Sequence, residues 1–551
     1  MFSDLHPKER LLNLFFQPKA ILIFLLLFSV AYFFLAHEGF YFNDDYGYAR
    51  MAADLRHGRF QFQDLPAYHR FMIFGPVALL YKLFGISIYT VSLWPLLCTL
   101  GSLVFIYFLL RKEDIQVTVW ALLLSGLMFP TLFLSVYLFP DTIIMFFALA
   151  SAGILYAGRR AGKNPVMYAL AFVLANFAAL LSKETIVWYL PFYIWVAGAD
   201  FFRKKHTVFW LASVGFGALI LAVYLGIYKL HFGSFLYRFQ MIENTNLTFG
   251  DNFINAPDKN LWYRLTREPL EKMLGFGIFL PLAFCFRFLR SKAASQIFNL
   301  NFRESFWFWL TVIILLQFWF GSTSLNYYNP ITTGPRMATP LFPPLCLAAA
   351  YQLRAFFRDF KGALWFAIPL LAAALYTYSS ISIVYGLPGL YFLYVWWQSR
   401  KGNLALQPLL FSVILTFALA LRPLHFMLKP TVSSFFEQEQ IAEDYFQNPE
   451  IKTAVFADGW FQKSAEYYFK FEPHLQVKIL NYDDVGKAGL QEFEKIYLLV
   501  NKSTLTNPDL QFKKPVPGFT ITEAEIYSRF PNRKLVATKG KVLLYEVLTE
   551  K

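Results

Sequence analysis

Apolar residues come in long runs from residue 20 to residue 421, separated by short polar clusters. Runs of roughly 17–25 residues match the thickness of a bilayer core. They predict thirteen membrane-spanning helices, near 20–36, 87–110, 115–133, 140–158, 165–181, 186–201, 207–228, 270–289, 305–322, 337–355, 363–379, 382–398 and 404–421. The pattern then changes. Residues 430–551 are polar, with short strand-like runs at 453–457, 477–480, 495–500 and 534–547 and a helical stretch at 464–471. Strands alternating with helical or loop segments predict a small α/β domain. The expected fold is an α-helical polytopic membrane protein with about thirteen transmembrane helices plus interfacial helices, over 1–429, and a C-terminal α/β domain over 430–551.

Charge along the chain predicts an orientation. Lys8, Arg10 and Lys19 precede the first run, which is longer than a signal-peptide core and has no clear cleavage site after it. It reads as an uncleaved span with its N-terminus inside. Every even-numbered span then ends inside, at Arg111-Lys112, Arg159-Arg160-Lys163, Arg203-Lys204-Lys205, Arg287-Arg290-Lys292, Arg354-Arg358-Lys361 and Arg400-Lys401. All six turns are basic, as inside loops should be. The count places the C-terminal domain outside, on a multi-pass protein of the cell (inner) membrane. The first outer loop, 37–86, holds two amphipathic pieces, 44–56 and 71–84, expected to lie at the interface. A longer outer segment, 231–269, is mixed in charge and rich in Asn, Phe and Tyr.

Composition removes several function classes. The chain is 57% hydrophobic and only 16% charged, against roughly 25% charged in soluble domains. A large soluble core is excluded. The net charge of +14 comes from loops on one membrane face, so nucleic acid is not an expected partner. Cys98, Cys285 and Cys346 all fall in apolar runs and form no metal-spaced cluster. The chain has no internal repeat, no P-loop and no G-x-G-x-x-G pattern, which argues against an ATP-driven pump.

Ionisable residues at membrane depth are costly and mark candidate sites. Here they gather at the outer ends of spans: Asp44 and Asp45 after the first, Asp141 at the head of the fourth, Lys183 and Glu184 between the fifth and sixth, and Arg336 before the tenth. His69 and Arg70 lie in the first outer loop. Each has a plainer alternative. Asp44, Asp45 and Asp141 can cap helix N-termini; Lys183, Glu184, His69, Arg70 and Arg336 can anchor to headgroups. Their shared side favours a cluster. A carboxylate there suits a general base, and Lys and Arg suit a phosphate held as leaving group. Asp44 and Asp141 are the expected ligands if a divalent metal ion is used.

Several stretches resemble the GT-C glycosyltransferases, in particular the bacterial protein-mannosyltransferase-like and aminoarabinose-transferase-like group. NDDYGYARMAADLRHGRF resembles that family's acidic loop, and YHRFMIFGPVALLYKLFG its second interfacial helix. LFPDTIIMFFALA, LLSKETIVWYLP and GPRMATPLFPPLCLAAA resemble its later motifs in order, and ADGWFQKSAEYYF the opening of its outer domain. The resemblance implies an inverting hexosyl- or pentosyltransferase that uses a polyprenyl-phosphate sugar as donor and a lipid, glycan or protein as acceptor. It implies catalytic roles for Asp44, Asp141 and Asp45, donor-phosphate contacts for Lys183 and Arg336, and cleft positions for His69 and Arg70; Glu184 is a cleft candidate from its place among the outer charges alone. Gly47 and Glu184 stand where the aminoarabinose-transferase pattern has Arg and Gly, so transfer to lipid A is not implied. The alternative class is a transporter or lipid flippase. It predicts charges in mid-span and inverted repeats, and the sequence has neither.

Overall fold

The computed structural model describes residues 17–41, 43–161, 164–248, 260–288, 298–399, 407–429, 433–447, 451–473, 476–485, 490–506 and 521–548. Each of the thirteen predicted runs coincides with a helix or a broken helix pair. Six described helices are long and apolar enough to cross a membrane: those in Pro18–Leu35, Ile88–Leu110, Pro140–Arg160, Glu184–Phe202, Thr207–Phe232 and Gln407–Leu428. Ile115–Leu127 and Phe129–Ser135 make a seventh if the bent pair is one span. The others fall below that standard for physical reasons. Pro165–Leu180 and Ala363–Thr377 are short, and Phe342–Asp359 carries Arg354, Arg358 and Asp359. Of the predicted basic turns, Lys163, Arg290, Lys292, Arg400 and Lys401 lie outside the described residues, as do Lys8 and Arg10.

Contacts divide the chain into two compact units. The first, 1–35, 61–76 and 92–427, is helical. Its core is aliphatic and aromatic: Trp120 is fully buried, packs on Phe357 and Phe411, and donates from Nε1 to Ser412 Oγ at 2.9 Å. The bent span breaks at Met128, whose extended backbone precedes Pro130, and the two helices diverge by 54°. Pro130 sits in the first turn of the second helix, where its missing N–H leaves no hydrogen bond unmade, so the helix restarts there.

The second unit joins 428–551 with 36–60 and 77–91. Its sheet has the order β2-β1-β3-β5-β4, with β1 (Thr453–Ala457), β2 (Val477–Asn481), β3 (Lys495–Asn501), β4 (Arg533–Lys539) and β5 (Val542–Val547). β1 is parallel to β2 and β3; β3–β5 and β5–β4 are antiparallel. β1 is buried along its whole length, as a central strand covered on both faces must be. The run at 534–547, read from sequence as one strand, is a hairpin that turns at Gly540, whose φ is +53°. The helix Asn43–Arg56 belongs to this unit. Arg50 Nε meets Glu466 Oε2 at 3.2 Å, and Arg59 donates to the Phe471 carbonyl at 2.8 Å. Phe40 packs edge-on against Tyr467 and Phe435. Asp458, Tyr467 and Tyr468 are buried; Asp458 caps Gly459–Lys463 and accepts from Thr504 Oγ1 at 2.6 Å.

Candidate active site

The helical unit brings Asp141, Lys183 and Arg336 together. Asp141 sits in the first turn of Pro140–Ala161, directly after Pro140, and is fully buried. Lys183 has extended backbone just ahead of the turn Glu184–Tyr189. Its Nζ donates to Asp141 Oδ1 at 2.7 Å. Arg336 follows Gly334-Pro335 in an irregular segment and donates from Nε to Asp141 Oδ2 at 2.8 Å. Its guanidinium also lies over the Phe139 ring, 3.9 Å from the centroid. Burial pulls the Lys183 pKa down, and the Asp141 carboxylate opposes that shift.

The next residue, Glu184, builds a second cluster. Its Oε2 accepts from Arg70 at 2.8 Å and its Oε1 from Arg238 at 2.6 Å. Arg238, in the helix Tyr237–Thr248, also donates to Tyr224 Oη at 2.5 Å and to the Leu180 carbonyl at 3.0 Å. His69 is buried. Its Nδ1 is 2.9 Å from Tyr228 Oη, and its ring stacks on Phe62. Burial, with Arg238 nearby, holds the His69 pKa below the usual histidine range, which favours a neutral imidazole.

Four cations therefore surround two carboxylates, an excess of two positive charges. Their exposure separates them. Lys183 and Arg238 side chains are 6% exposed, while Arg70 and Arg336 are 22% and 32% exposed. The open pair can meet an incoming anion; the buried pair supplies field. Arg238 does not stand out in the sequence, where 231–269 shows only mixed charge.

Asp44 and Asp45 belong to the other unit, in the first turn of Asn43–Arg56. Asp44 is exposed. Asp45 is buried, and its carboxylate accepts from the Tyr41 and Tyr46 amides at 2.7 and 3.0 Å. Metal binding fits Asp141 poorly, because Lys183 and Arg336 each occupy one of its oxygens. No group of three or more His, Cys, Asp or Glu suited to a metal ion occurs among the described residues.

The sequence matches no family model and no curated protein. Solved structures do match. ArnT from Cupriavidus metallidurans bound to undecaprenyl phosphate superposes with a TM-score of 0.55 at 14% identity, covering 96% of this chain and 98% of that one. This chain has the GT-C fold. The apo form of the same ArnT matches the GT-C architecture here with a TM-score of 0.51 at 12% identity, over 94% and 96% of the two chains. An oligosaccharyltransferase from Archaeoglobus fulgidus gives 0.47 at 13% identity, over 94% and 73%. At these identities the likeness concerns the GT-C fold alone.

Proposed function

We propose that the protein is an integral-membrane glycosyltransferase that moves a hexosyl or pentosyl group from a polyprenyl-phosphate donor to a lipid, glycan or protein acceptor on the extracytoplasmic face. The observation that carries this reading is the cation excess around Asp141 and Glu184. A protein seldom gathers four cations around two carboxylates, one fully buried and one half-buried, without an anion to receive, and phosphate suits Arg geometry. The ArnT structure of the same fold is bound to undecaprenyl phosphate, which supports the same choice of anion.

In this reading Arg336 and Arg70 hold the donor phosphate, and Lys183 adds charge from behind. Asp141 is a positioning residue that fixes the directions of Lys183 and Arg336. The acceptor oxygen attacks the anomeric carbon from the side opposite the phosphate. The new C–O bond forms as the bond to the phosphate oxygen breaks, and the configuration inverts. The departing phosphate takes the electron pair and is stabilised by the cations. Asp44, exposed at its helix N-terminus, is assigned on sequence grounds to take the acceptor proton; Asp45 holds the loop around it. No step uses a metal. In the same reading the C-terminal domain and these residues lie on the outer face of the inner membrane, the side that the charge pattern of the sequence predicts for them.

The test uses purified full-length protein in nanodiscs with a panel of undecaprenyl-phosphate sugars. Mass spectrometry follows release of undecaprenyl phosphate and transfer to lipid or glycan acceptors. Transfer that disappears in Arg336→Gln supports the reading. Movement of lipid-linked sugar between leaflets with no bond broken would assign the protein to transport instead.

A further inference from the structure

The helix Tyr237–Thr248 carries its polarity on an unexpected side. Leu236, Phe239 and Leu247 are about half exposed and face outward. Tyr237, Gln240, Met241, Asn244 and Thr245, at spacings of i, i+3, i+4, i+7 and i+8, instead line an open cavity of about 300 Å³ bordered on another side by Asp64 and Leu65. An interfacial helix with apolar residues outward turns those residues to lipid. The amides of Gln240 and Asn244 on the cavity face are exposed, where an incoming polar ligand can reach them, and the cavity stands at the lower end of the about 300–1,000 Å³ of small-ligand clefts.

We propose that this cavity is a subsite for one uncharged sugar ring. The inference rests on the transferase reading above and adds which sugars the protein accepts. The lining supplies what vicinal hydroxyls need: carboxamides at Gln240 and Asn244, each both donor and acceptor, and a hydroxyl at Thr245. The Tyr237 hydroxyl donates to Asp64, and its ring lies flat on Phe232 with centroids 4.3 Å apart, so that wall is rigid. The ring also neighbours His69, which ties the cavity to the ion-pair clusters described above. Asp64 is the one ionised side chain among the described residues of the lining. A carboxylate at this position accepts from hydroxyls and repels an acidic sugar, so a uronic acid is rejected.

The probes are methyl glycosides of glucose, mannose, galactose and glucuronic acid, with binding to full-length protein in nanodiscs followed by saturation-transfer NMR. At least one neutral glycoside should bind, and the glucuronide at least tenfold more weakly. Gln240→Ala and Asn244→Ala should weaken the neutral glycoside fivefold or more, and Gln240→Trp, which fills the cavity from an exposed position, should abolish it. Undecaprenyl phosphate binding should stay within twofold in all three. Neutral-glycoside binding unaffected by these variants, equal binding of the glucuronide, or no glycoside binding at all would overturn the subsite. Failure of the wild-type protein to bind undecaprenyl phosphate would instead remove the transferase reading beneath it.

Discussion

Lys183 Nζ and Asp141 Oδ1 lie 2.7 Å apart, joining residues 42 positions distant in the chain inside a nearly dry environment. Arg336 takes the other Asp141 oxygen. Removing one member of such a buried arrangement strands the rest.

Asp141→Asn should therefore destabilise the helical unit by about 3–5 kcal/mol, the usual cost of leaving a buried charge unpaired. Asp141→Asn combined with Lys183→Gln should lose less than the sum of the two single changes. Thermal unfolding in detergent measures all three. Additive losses would mean that the contact contributes no coupling.

Arg336→Gln removes the most open cation of the cluster. A hydrogen bond to a charged group is worth about 1.5–3 kcal/mol, so undecaprenyl phosphate should bind roughly tenfold to a hundredfold more weakly. Titration of the lipid phosphate into nanodisc-held protein reads this directly. Unchanged affinity would remove Arg336 from phosphate binding.

Asp44→Asn should abolish transfer while leaving the unfolding temperature close to wild type, because the side chain is exposed and its amide replacement is isosteric. Turnover retained by this variant takes Asp44 out of the mechanism.

His37 gives the second unit a pH response. It is buried, its Nδ1 accepts from the Gly39 amide at 3.0 Å, and its ring meets Tyr89 and Phe436. Burial lowers its pKa to about 3 from the ordinary 6.5. Between those values the unfolded chain binds a proton that the folded one refuses. Stability should fall as pH drops through this window, by about 1.4 kcal/mol per pH unit. Above pH 6.5 the contribution is constant. His37→Gln keeps an acceptor for Gly39 and should flatten that part of the profile, read as unfolding temperature against pH; an unchanged slope would assign it to other groups.

The apolar runs made the helices legible, and the charges at their outer ends made Asp141, Lys183 and Arg336 legible, because a polar residue beside a span stands out against its neighbours. Pairings were not legible. Nothing in LLSKETIVW says that Lys183 turns to Asp141 while Glu184 turns to Arg70 and Arg238; that follows from the extended backbone at Lys183. Arg238 was hidden in a segment whose helical face, Tyr237 to Thr245, is polar where apolar periodicity is the usual signal. The β4–β5 turn was hidden because Lys539-Gly540-Lys541 is short and flanked by residues that suit one continuous strand.

Because Arg50 and Arg59 fasten the Asp44 helix to Glu466 and Phe471, the C-terminal tail cannot be regarded as a detachable accessory. Cutting the chain near residue 428 would leave the membrane helices their own packing yet unmoor the acidic loop from its scaffold. Loss of turnover in such a truncation would report a broken hinge-post, not a missing acceptor-recognition module.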